Sequence, residues 1–263
     1  SVRVEQATRY PWDGHVRLTL TPEGADAARE FTVFVRIPGW AMGRPVPSDL
    51  YRYADAAGVS SPSLSINGAA VPLKIEKGYA VLSRRWSAGD SIELDLPMAP
   101  RRVLAHPNVA ADAGRVAVER GPLVYCAEGA DNDGWARNLI LPDDAPLASE
   151  WRPDLLGGVV ALTAPGRALD ARGASAARAL TLVPYYAWSN RGAGEMAVWL
   201  AREAGAAMRP PDGLEKTLAA RSRVFASHFW RDDRGGALRD GAAPERARDN
   251  SVPAFSWFPR RGT

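Results

Sequence analysis

The single cysteine of the 263-residue chain, Cys126, is its clearest candidate for a nucleophile. It closes the run 119–126 (ERGPLVYC), which also contains the adjacent Glu119 and Arg120. A cysteine attacks as a thiolate, which a cation or a helix N-terminus must stabilise. The two-residue strand period puts Arg120 and Cys126 on one face, but too far apart along a single strand for contact. Because free cysteines in strands commonly pack as small apolar residues, packing is the favoured interpretation, and catalysis by Cys126 stays the alternative.

Paired carboxylates are the second chemistry that the sequence offers. Two carboxyl groups that flank a glycosidic bond carry out glycoside hydrolysis, and the candidates are Glu119, Glu128 and the pair Asp143 and Asp144. The spacing brings no two of them to one cleft, so loop and surface roles are favoured. Glu119 and Arg120 are neighbours in a strand and point to opposite faces, which we interpret as an interdomain ion pair. We therefore predict no catalytic residue in this chain.

Metal-binding side chains are sparse. Residues 131–134 (DNDG) look like part of a calcium loop, but position twelve is Ile140 or Pro142, depending on the start, where an EF-hand needs Glu. The segment is predicted to be a turn, because Asp and Asn tolerate the left-handed backbone conformation. A lone cysteine excludes a cysteine-based zinc site. The three histidines are far apart in the sequence: His15, His106 and His228.

Composition excludes several classes of protein. The chain is 46% hydrophobic and 24% charged, with 33 basic and 30 acidic residues and a net charge of +3. Its arginines are scattered rather than gathered in a stripe, which argues against nucleic-acid binding. No apolar run approaches the ~20 residues of a membrane-spanning helix. The chain begins in what reads as a strand, without an initiator Met or a signal peptide, so we expect upstream sequence, and the compartment stays undetermined.

The elements that must position these side chains are predicted to be β-strands. Apolar residues alternate with polar ones over 16–21, 31–37 and 92–96, and turn residues such as Asn67-Gly68 separate the runs. Short strands between Gly, Pro and Asn turns are typical of sandwiches and jelly rolls. A second set of strands is predicted from the runs 116–125, 159–162, 180–183 and 196–200, with loops over 141–153 and 164–177.

The predicted fold class is therefore all-β, with two consecutive antiparallel, jelly-roll-like β-sandwich domains. The first is predicted over residues 1–110 and the second over 111–203, because the strand pattern lapses between 108 and 114. Residues 204–263 are predicted to be a linker, with one short helix over 214–221, followed by an incomplete third module.

Six motifs in one order resemble the region that follows the catalytic barrel in glycoside hydrolase family 127, the β-L-arabinofuranosidase-type family. The resemblance covers roughly residues 1–203, and its specificity comes from the order of the motifs rather than from any single one. The motifs are 10–14 (YPWDG), 31–40 (FTVFVRIPGW), 65–68 (SING), 78–79 with Trp86 and 89–90, 119–125 (ERGPLVY) and 184–192 (PYYAWSNRG).

The resemblance implies that catalysis belongs to a different domain from the ones in this sequence. Members of that family carry an N-terminal (α/α)6 barrel with a cysteine thiolate nucleophile, a glutamate acid/base and a zinc ion bound by cysteines and a glutamate. None of those barrel motifs occurs in this sequence. The resemblance therefore implies a non-catalytic accessory region of a bacterial enzyme that hydrolyses β-L-arabinofuranosides with retention. Its expected partner is the missing catalytic barrel, its expected zinc lies in that barrel, and arabinose-containing glycans are further candidate partners.

The tail carries a weaker resemblance. Residues 237–241 (ALRDG), 249–251 and 255–262 (FSWFPRRG) are similar to the opening of a discoidin-type, galactose-binding-like sandwich. Such a module needs many more residues than the sequence provides.

Carbohydrate binding would involve aromatic side chains, because the C–H faces of sugars pack on flat rings, and the chain has nine tryptophans. Most are interpreted as core and interface anchors. The segment 184–192 mixes rings with an amide and a guanidinium, a composition that suits an interface hot spot. The candidates for docking on the barrel, or for one rim of its substrate cleft, are Arg120, Tyr185, Tyr186, Trp188, Asn190 and Arg191. The alternative functions are a carbohydrate-binding module for plant polysaccharide and a free-standing hydrolase that uses Cys126.

Overall fold

The computed structural model of the protein describes residues 1–24, 28–54 and 60–211. It is built from strands, which confirms the predicted all-β class. The strands are β1 (Val2–Thr8), β2 (His15–Pro22), β3 (Ala28–Arg36), β4 (Tyr51–Tyr53), β5 (Ser63–Ile66), β6 (Ala69–Val71), β7 (Ile75–Glu76), β8 (Tyr79–Ser87), β9 (Asp90–Asp95), β10 (Pro100–Ala105), β11 (Arg115–Arg120), β12 (Leu123–Glu128), β13 (Leu139–Ile140), β14 (Ala148–Arg152), β15 (Val159–Leu169), β16 (Ser175–Pro184), β17 (Met196–Ala197) and β18 (Leu200–Ala201). The 3-10 helices among the described residues are Gly39–Met42, Ala110–Asp112, Gly129–Asp131, Tyr185–Ala187 and Ala204–Ala206.

The N-terminal unit is a sandwich of two sheets. A five-stranded sheet in the order β1-β2-β9-β5-β6 packs on a three-stranded sheet in the order β3-β8-β7. Alternate residues of both sheets enter one core, as the two-residue period predicts. The predicted Asn67-Gly68 hairpin is confirmed, since both residues have positive φ (52° and 77°) between β5 and β6. The largest buried side chains of this core are Leu20, Ile37, Trp86 and Ile92.

The C-terminal unit is a ten-stranded sheet that folds back on itself. Its pairings run β12-β16-β15-β13-β18-β11, and β11 also pairs with β12, so six strands form a closed circuit. All of these pairings are antiparallel except β13 with β18. The circuit encloses a second core, whose large members include Val116, Tyr125, Leu162, Leu180 and Leu182. Closing the circuit removes two sheet edges that would otherwise be free to pair with other chains.

The two units share strands near the predicted boundary. β10 precedes residues 108–114 and β11 follows them, yet the two strands pair from Pro100↔Arg120 to Val103↔Ala117. β4, from much earlier in the chain, pairs with the outer side of β10. A cluster that includes Trp40 and Trp199 covers this part of the sheet. The sheet of the C-terminal unit is therefore extended by strands that come before the change in sequence pattern.

Two loop predictions are wrong. Residues 164–177 form the paired ends of β15 and β16 around a tight turn, and β14 lies within 141–153. In the first of these segments, Gly166 allows a close approach between strands. A Cβ at this position would lie 2.6 Å from the Ile140 carbonyl oxygen, so the absence of a side chain permits the pairing. The predicted helix over 214–221 and the discoidin-like tail lie outside the described residues.

Candidate functional site

Cys126 is a packing residue in this fold. It lies in β12 opposite Val183 of β16, with 1% of its surface exposed. Burial, and after it the carboxylates of Glu128 and Asp131, raise the pKa of its thiol to about 12, although Arg191 acts to lower it. A thiol with this pKa is protonated at neutral pH and is a poor nucleophile. The favoured interpretation of the sequence therefore agrees with the geometry.

The predicted placement of Arg120 and Cys126 on one face is wrong. Gly121 and Pro122 form a tight turn, so β11 and β12 are a hairpin in which Arg120 pairs with Leu123. Paired residues share a face, which puts Arg120 on the side of Tyr125 and Cys126 on the other side. Gly121 has φ 58°, and a Cβ there would lie 2.5 Å from the sulfur of Met98. The turn therefore depends on glycine.

Glu119 and Arg120 point to opposite faces, as predicted, and each makes a different contact. The Tyr53 hydroxyl donates to Oε2 of Glu119 at 2.8 Å, and the Arg101 guanidinium lies 3.4 Å from the centre of the Tyr53 ring. Burial raises the pKa of Glu119, while the Tyr53 hydrogen bond and the charge of Arg101 lower it. Beside this group is a cavity of about 10 Å³, room for about one water molecule.

Arg120 connects the two units. Its Nη1 donates to the main-chain oxygen of Trp12 at 2.9 Å. Trp12 belongs to the turn between β1 and β2, which a hydrogen bond from the Leu96 amide to the Gly14 carbonyl ties to the chain between the units. A Cβ at Gly14 would lie 2.0 Å from the Leu96 oxygen, so this turn also depends on glycine. The predicted interdomain ion pair of Glu119 and Arg120 is therefore wrong. Arg120 joins the units through a main-chain carbonyl, and Glu119 accepts a hydrogen bond from Tyr53 instead.

Two pairs of exposed rings lie near this connection. The indole Nε1 of Trp12 donates to the Tyr186 hydroxyl at 3.2 Å. In the segment 184–192, which also contains Tyr186, the rings of Tyr185 and Trp188 stack, with centroids 6.0 Å apart and planes 13° from parallel. The exposed fractions are 44% for Trp12 and 45%, 54% and 39% for the rings of the C-terminal unit, in chain order. We call Trp12, Tyr185, Tyr186 and Trp188 the composite surface, because both units contribute to it.

The segment that presents these rings is held from below by charged groups. Arg191 forms ion pairs with Glu128, which is 5% exposed, and with Asp131. The Ser189 amide donates to Oε1 of Glu128 at 3.0 Å, and the Asn190 side chain donates to the Ala187 carbonyl at 3.0 Å. These bonds fix the course of the main chain just after the rings.

Of the six predicted site residues, Tyr185, Tyr186 and Trp188 lie together at the surface. Arg120 lies beneath Trp12, and Asn190 and Arg191 are turned towards the framework of their own segment. Trp12 and Glu128 were missed as members of this site. Trp12 lies in the YPWDG turn that contributed to the family resemblance, whereas Glu128 carried no signal in the sequence beyond being a carboxylate at the end of a strand.

The described residues offer no metal centre. Within residues 1–24, 28–54 and 60–211, no three His, Cys, Asp or Glu side chains are grouped so that they could bind an ion. The predicted turn at 131–134 is confirmed, and Asp133 pairs with Arg178 there. Among these described residues, no helix is both long enough and apolar enough to cross a membrane.

Two family descriptions match the chain in succession. Residues 1–98 match the middle domain of family 127, described as beta-L-arabinofuranosidase, and residues 100–201 match the glycoside hydrolase family 127 C-terminal domain. A non-reducing end beta-L-arabinofuranosidase of Bifidobacterium longum subsp. longum is 36% identical over 217 residues, which are 76% of this chain and 30% of that protein.

Solved structures resemble the same region. A GH127 beta-arabinofuranosidase has a TM-score of 0.73 at 40% identity, covering 79% of this chain and 33% of the other. A GH127 beta-L-arabinofuranosidase from Geobacillus stearothermophilus T6 has a TM-score of 0.66 at 41% identity, covering 76% of this chain and 30% of the other. The chain thus spans about a third of the length of the proteins it matches.

Proposed function

The chain belongs to glycoside hydrolase family 127, where it corresponds to the middle and C-terminal domains, and we propose that it packs on a catalytic barrel and supports it. In this proposal the barrel hydrolyses terminal β-L-arabinofuranosides with retention, through a cysteine nucleophile. The zinc ion of that mechanism would be bound by the barrel. The described residues of this chain do not fit zinc, since their one cysteine is buried and protonated and no three ligands are grouped.

The hydrogen bond between Trp12 and Tyr186 is the observation that carries the proposal. It joins exposed rings of two units into one surface. Tyrosine and tryptophan are enriched at interface hot spots, and contiguous exposed apolar patches of folded proteins commonly mark interaction sites. The bonds of Arg120 and Glu128 to the main chain that carries these rings reduce the backbone ordering needed on binding, which favours association.

A binding experiment between separate parts tests the proposal. The remainder of the Bifidobacterium longum relative, outside the matched region, is produced alone and titrated with this chain in a calorimeter. We expect a complex, and we expect Trp188→Ala to weaken it by about 30-fold, equivalent to a hot-spot loss of about 2 kcal/mol. Trp151→Ala is the matched control, because Trp151 is 54% exposed on β14 and lies outside the composite surface.

The relative's own matched region is the positive control for this titration. If that region binds its remainder and this chain does not, or if Trp151→Ala weakens the complex as much as Trp188→Ala, docking through the composite surface is contradicted. Hydrolysis of an aryl β-L-arabinofuranoside is measured in parallel. Activity of this chain alone would contradict its non-catalytic role.

The second candidate function is carbohydrate binding. It is favoured by a different surface of the chain, the outer face of the three-stranded sheet.

A further inference from the structure

A second group of exposed rings lies on the outer face of the three-stranded sheet. Phe34 of β3 and Tyr79 of β8 are 62% and 40% exposed, and their rings meet edge to face with centroids 6.5 Å apart. The opposite face of the same sheet is buried in the N-terminal core through Val35, Ala80 and Trp86. The two exposed rings are therefore extra to the core, on a face that solvent reaches.

Arg36 is fixed beside these rings. Its Nη1 donates to the carbonyl oxygens of Ile37 and Gly78, each at 2.7 Å, and its guanidinium lies 5.4 Å from the centre of the Tyr79 ring. Gly78 makes room for it, because a Cβ there would lie 2.3 Å from Nη1. The remaining N–H groups, on Nε and Nη2, have no hydrogen-bond partner among the described residues. The cation is thus held in place with donors left free.

Hydroxyl groups continue the same face. Thr32 and Ser83 are a cross-strand pair whose hydroxyl oxygens are 2.8 Å apart. They lie two residues from Phe34 along β3 and four from Tyr79 along β8, which puts them on the same side of the sheet. Along β3 the row runs from the Thr32 hydroxyl past the Phe34 ring to the Arg36 guanidinium. It is roughly 14 Å long, because a strand rises about 7 Å for every two residues. This row is defined here as the sheet-face site.

Charge indicates what the sheet-face site would bind. By strand register, the charged side chains on this outer face are Arg36 and Arg85 against Glu30 and Glu76. Glu30 lies opposite Arg85, and Glu76 pairs with Lys74 at 2.9 Å. No carboxylate of the described residues is paired with Arg36. The guanidinium of Arg36, which none of these carboxylates neutralises, therefore favours an anionic group on the ligand.

A ligand that combines flat C–H faces, hydroxyl edges and a carboxylate matches this row of hydroxyls, rings and cation. We propose that the sheet-face site binds a short acidic oligosaccharide, with a uronic acid carboxylate on Arg36 and sugar rings against Phe34 and Tyr79.

Calorimetric titration of the full chain with a trimer of galacturonic acid tests this proposal, with a neutral arabinose trimer as the comparison probe. We expect the acidic trimer to bind and the neutral trimer to bind at least about tenfold more weakly. Raising the salt from 0.05 to 0.5 M should weaken acidic-trimer binding several-fold, because an exposed ion pair is screened. Phe34→Ala should weaken it by about tenfold, as the loss of one ring contact implies.

Two variants control for the position of the site. Trp151→Ala removes an exposed ring from β14, and Trp188→Ala removes one from the composite surface; both should bind the acidic trimer as the parent chain does. Arg36→Lys keeps the charge but loses the two carbonyl bonds, and should weaken binding. The proposal is overturned if neither trimer binds, if both bind equally, or if Trp151→Ala weakens binding as much as Phe34→Ala. Loss of the complex with the relative's remainder in Phe34→Ala would also overturn it, since the face would then be a protein interface.

Discussion

The composite surface and the sheet-face site both expose aromatic rings, but they are built in opposite ways. The composite surface is formed by two turns far apart in the sequence, and buried charged groups beneath it hold its shape. The sheet-face site is formed by the register of β3 and β8, and its polar groups bond to each other or to adjacent main chain. The first surface should therefore respond to changes at residues that no partner touches, and the second only to changes within it.

The largest expected effect is at the ion pairs beneath the composite surface. Arg191→Ala leaves the buried Glu128 carboxylate without its cation, so we expect the free energy of unfolding to fall by about 3 kcal/mol. This free energy is measured by urea denaturation, with fluorescence as the probe of unfolding. Arg152→Ala is the matched control, because its pair with Asp154 is exposed and should contribute about 0–1 kcal/mol. If both variants lose the same free energy of unfolding, the buried ion pair contributes no more than an exposed one. The contrast drawn between the composite surface and the sheet-face site would then fail.

Cys126 lies under the same segment and can report whether it opens. In the parent chain a thiol reagent at pH 8 should label native Cys126 very slowly, because the thiol is buried and its pKa is raised to about 12. Arg191→Ala should increase the labelling rate by at least about tenfold, since each 1.4 kcal/mol of lost local stability increases opening tenfold. Phe34→Ala should leave the rate unchanged. Rapid labelling of the parent chain would instead favour the nucleophile interpretation.

A smaller effect is expected from pH at Glu119, on the face of β11 opposite Arg120. The pKa of Glu119 is raised mainly by burial, so between the ordinary carboxyl pKa of about 4.3 and the raised value the folded state binds more protons than the unfolded state. Stability then falls as the pH rises through this window. Relative to Glu119→Gln, the parent chain should be less stable at pH 7 than at pH 4. Glu150→Gln, at an exposed site, is the control, and its difference in the free energy of unfolding from the parent chain should not change with pH. If the corresponding difference for Glu119→Gln is also independent of pH, the prediction is contradicted.

The smallest effect is expected at the sheet-face site. Phe34→Ala removes a ring that is 62% exposed and outside the core, so the free energy of unfolding should change by no more than about 0.5 kcal/mol. Thermal unfolding of the variant beside the parent chain measures this. A loss above about 2 kcal/mol would mean that the face is part of the N-terminal core, and the comparison between the two surfaces would fail.

The sequence alone determined the strands that alternate apolar and polar residues, and it singled out the rings of the segment 184–192. A two-residue period is a local property of extended backbone, so alternation predicted β2, β3 and β9, and Asn67-Gly68 predicted its hairpin from the conformations those residues allow. The segment 184–192 stood out through its own composition. The order of six motifs predicted the family, because it depends on residue identity and not on contacts.

Only the tertiary structure decided which groups meet. Trp12 reaches Tyr186 across 174 positions, and Arg191 turns inwards to Glu128 rather than out to a partner. The pairing of β4 and β10 with β11 and the separation of Arg120 from Cys126 depend on strand register. Register and turn geometry are set by packing between residues distant in the chain. No local pattern contains that information, so the sequence could predict which rings are candidates, and the fold determined which of them form one surface.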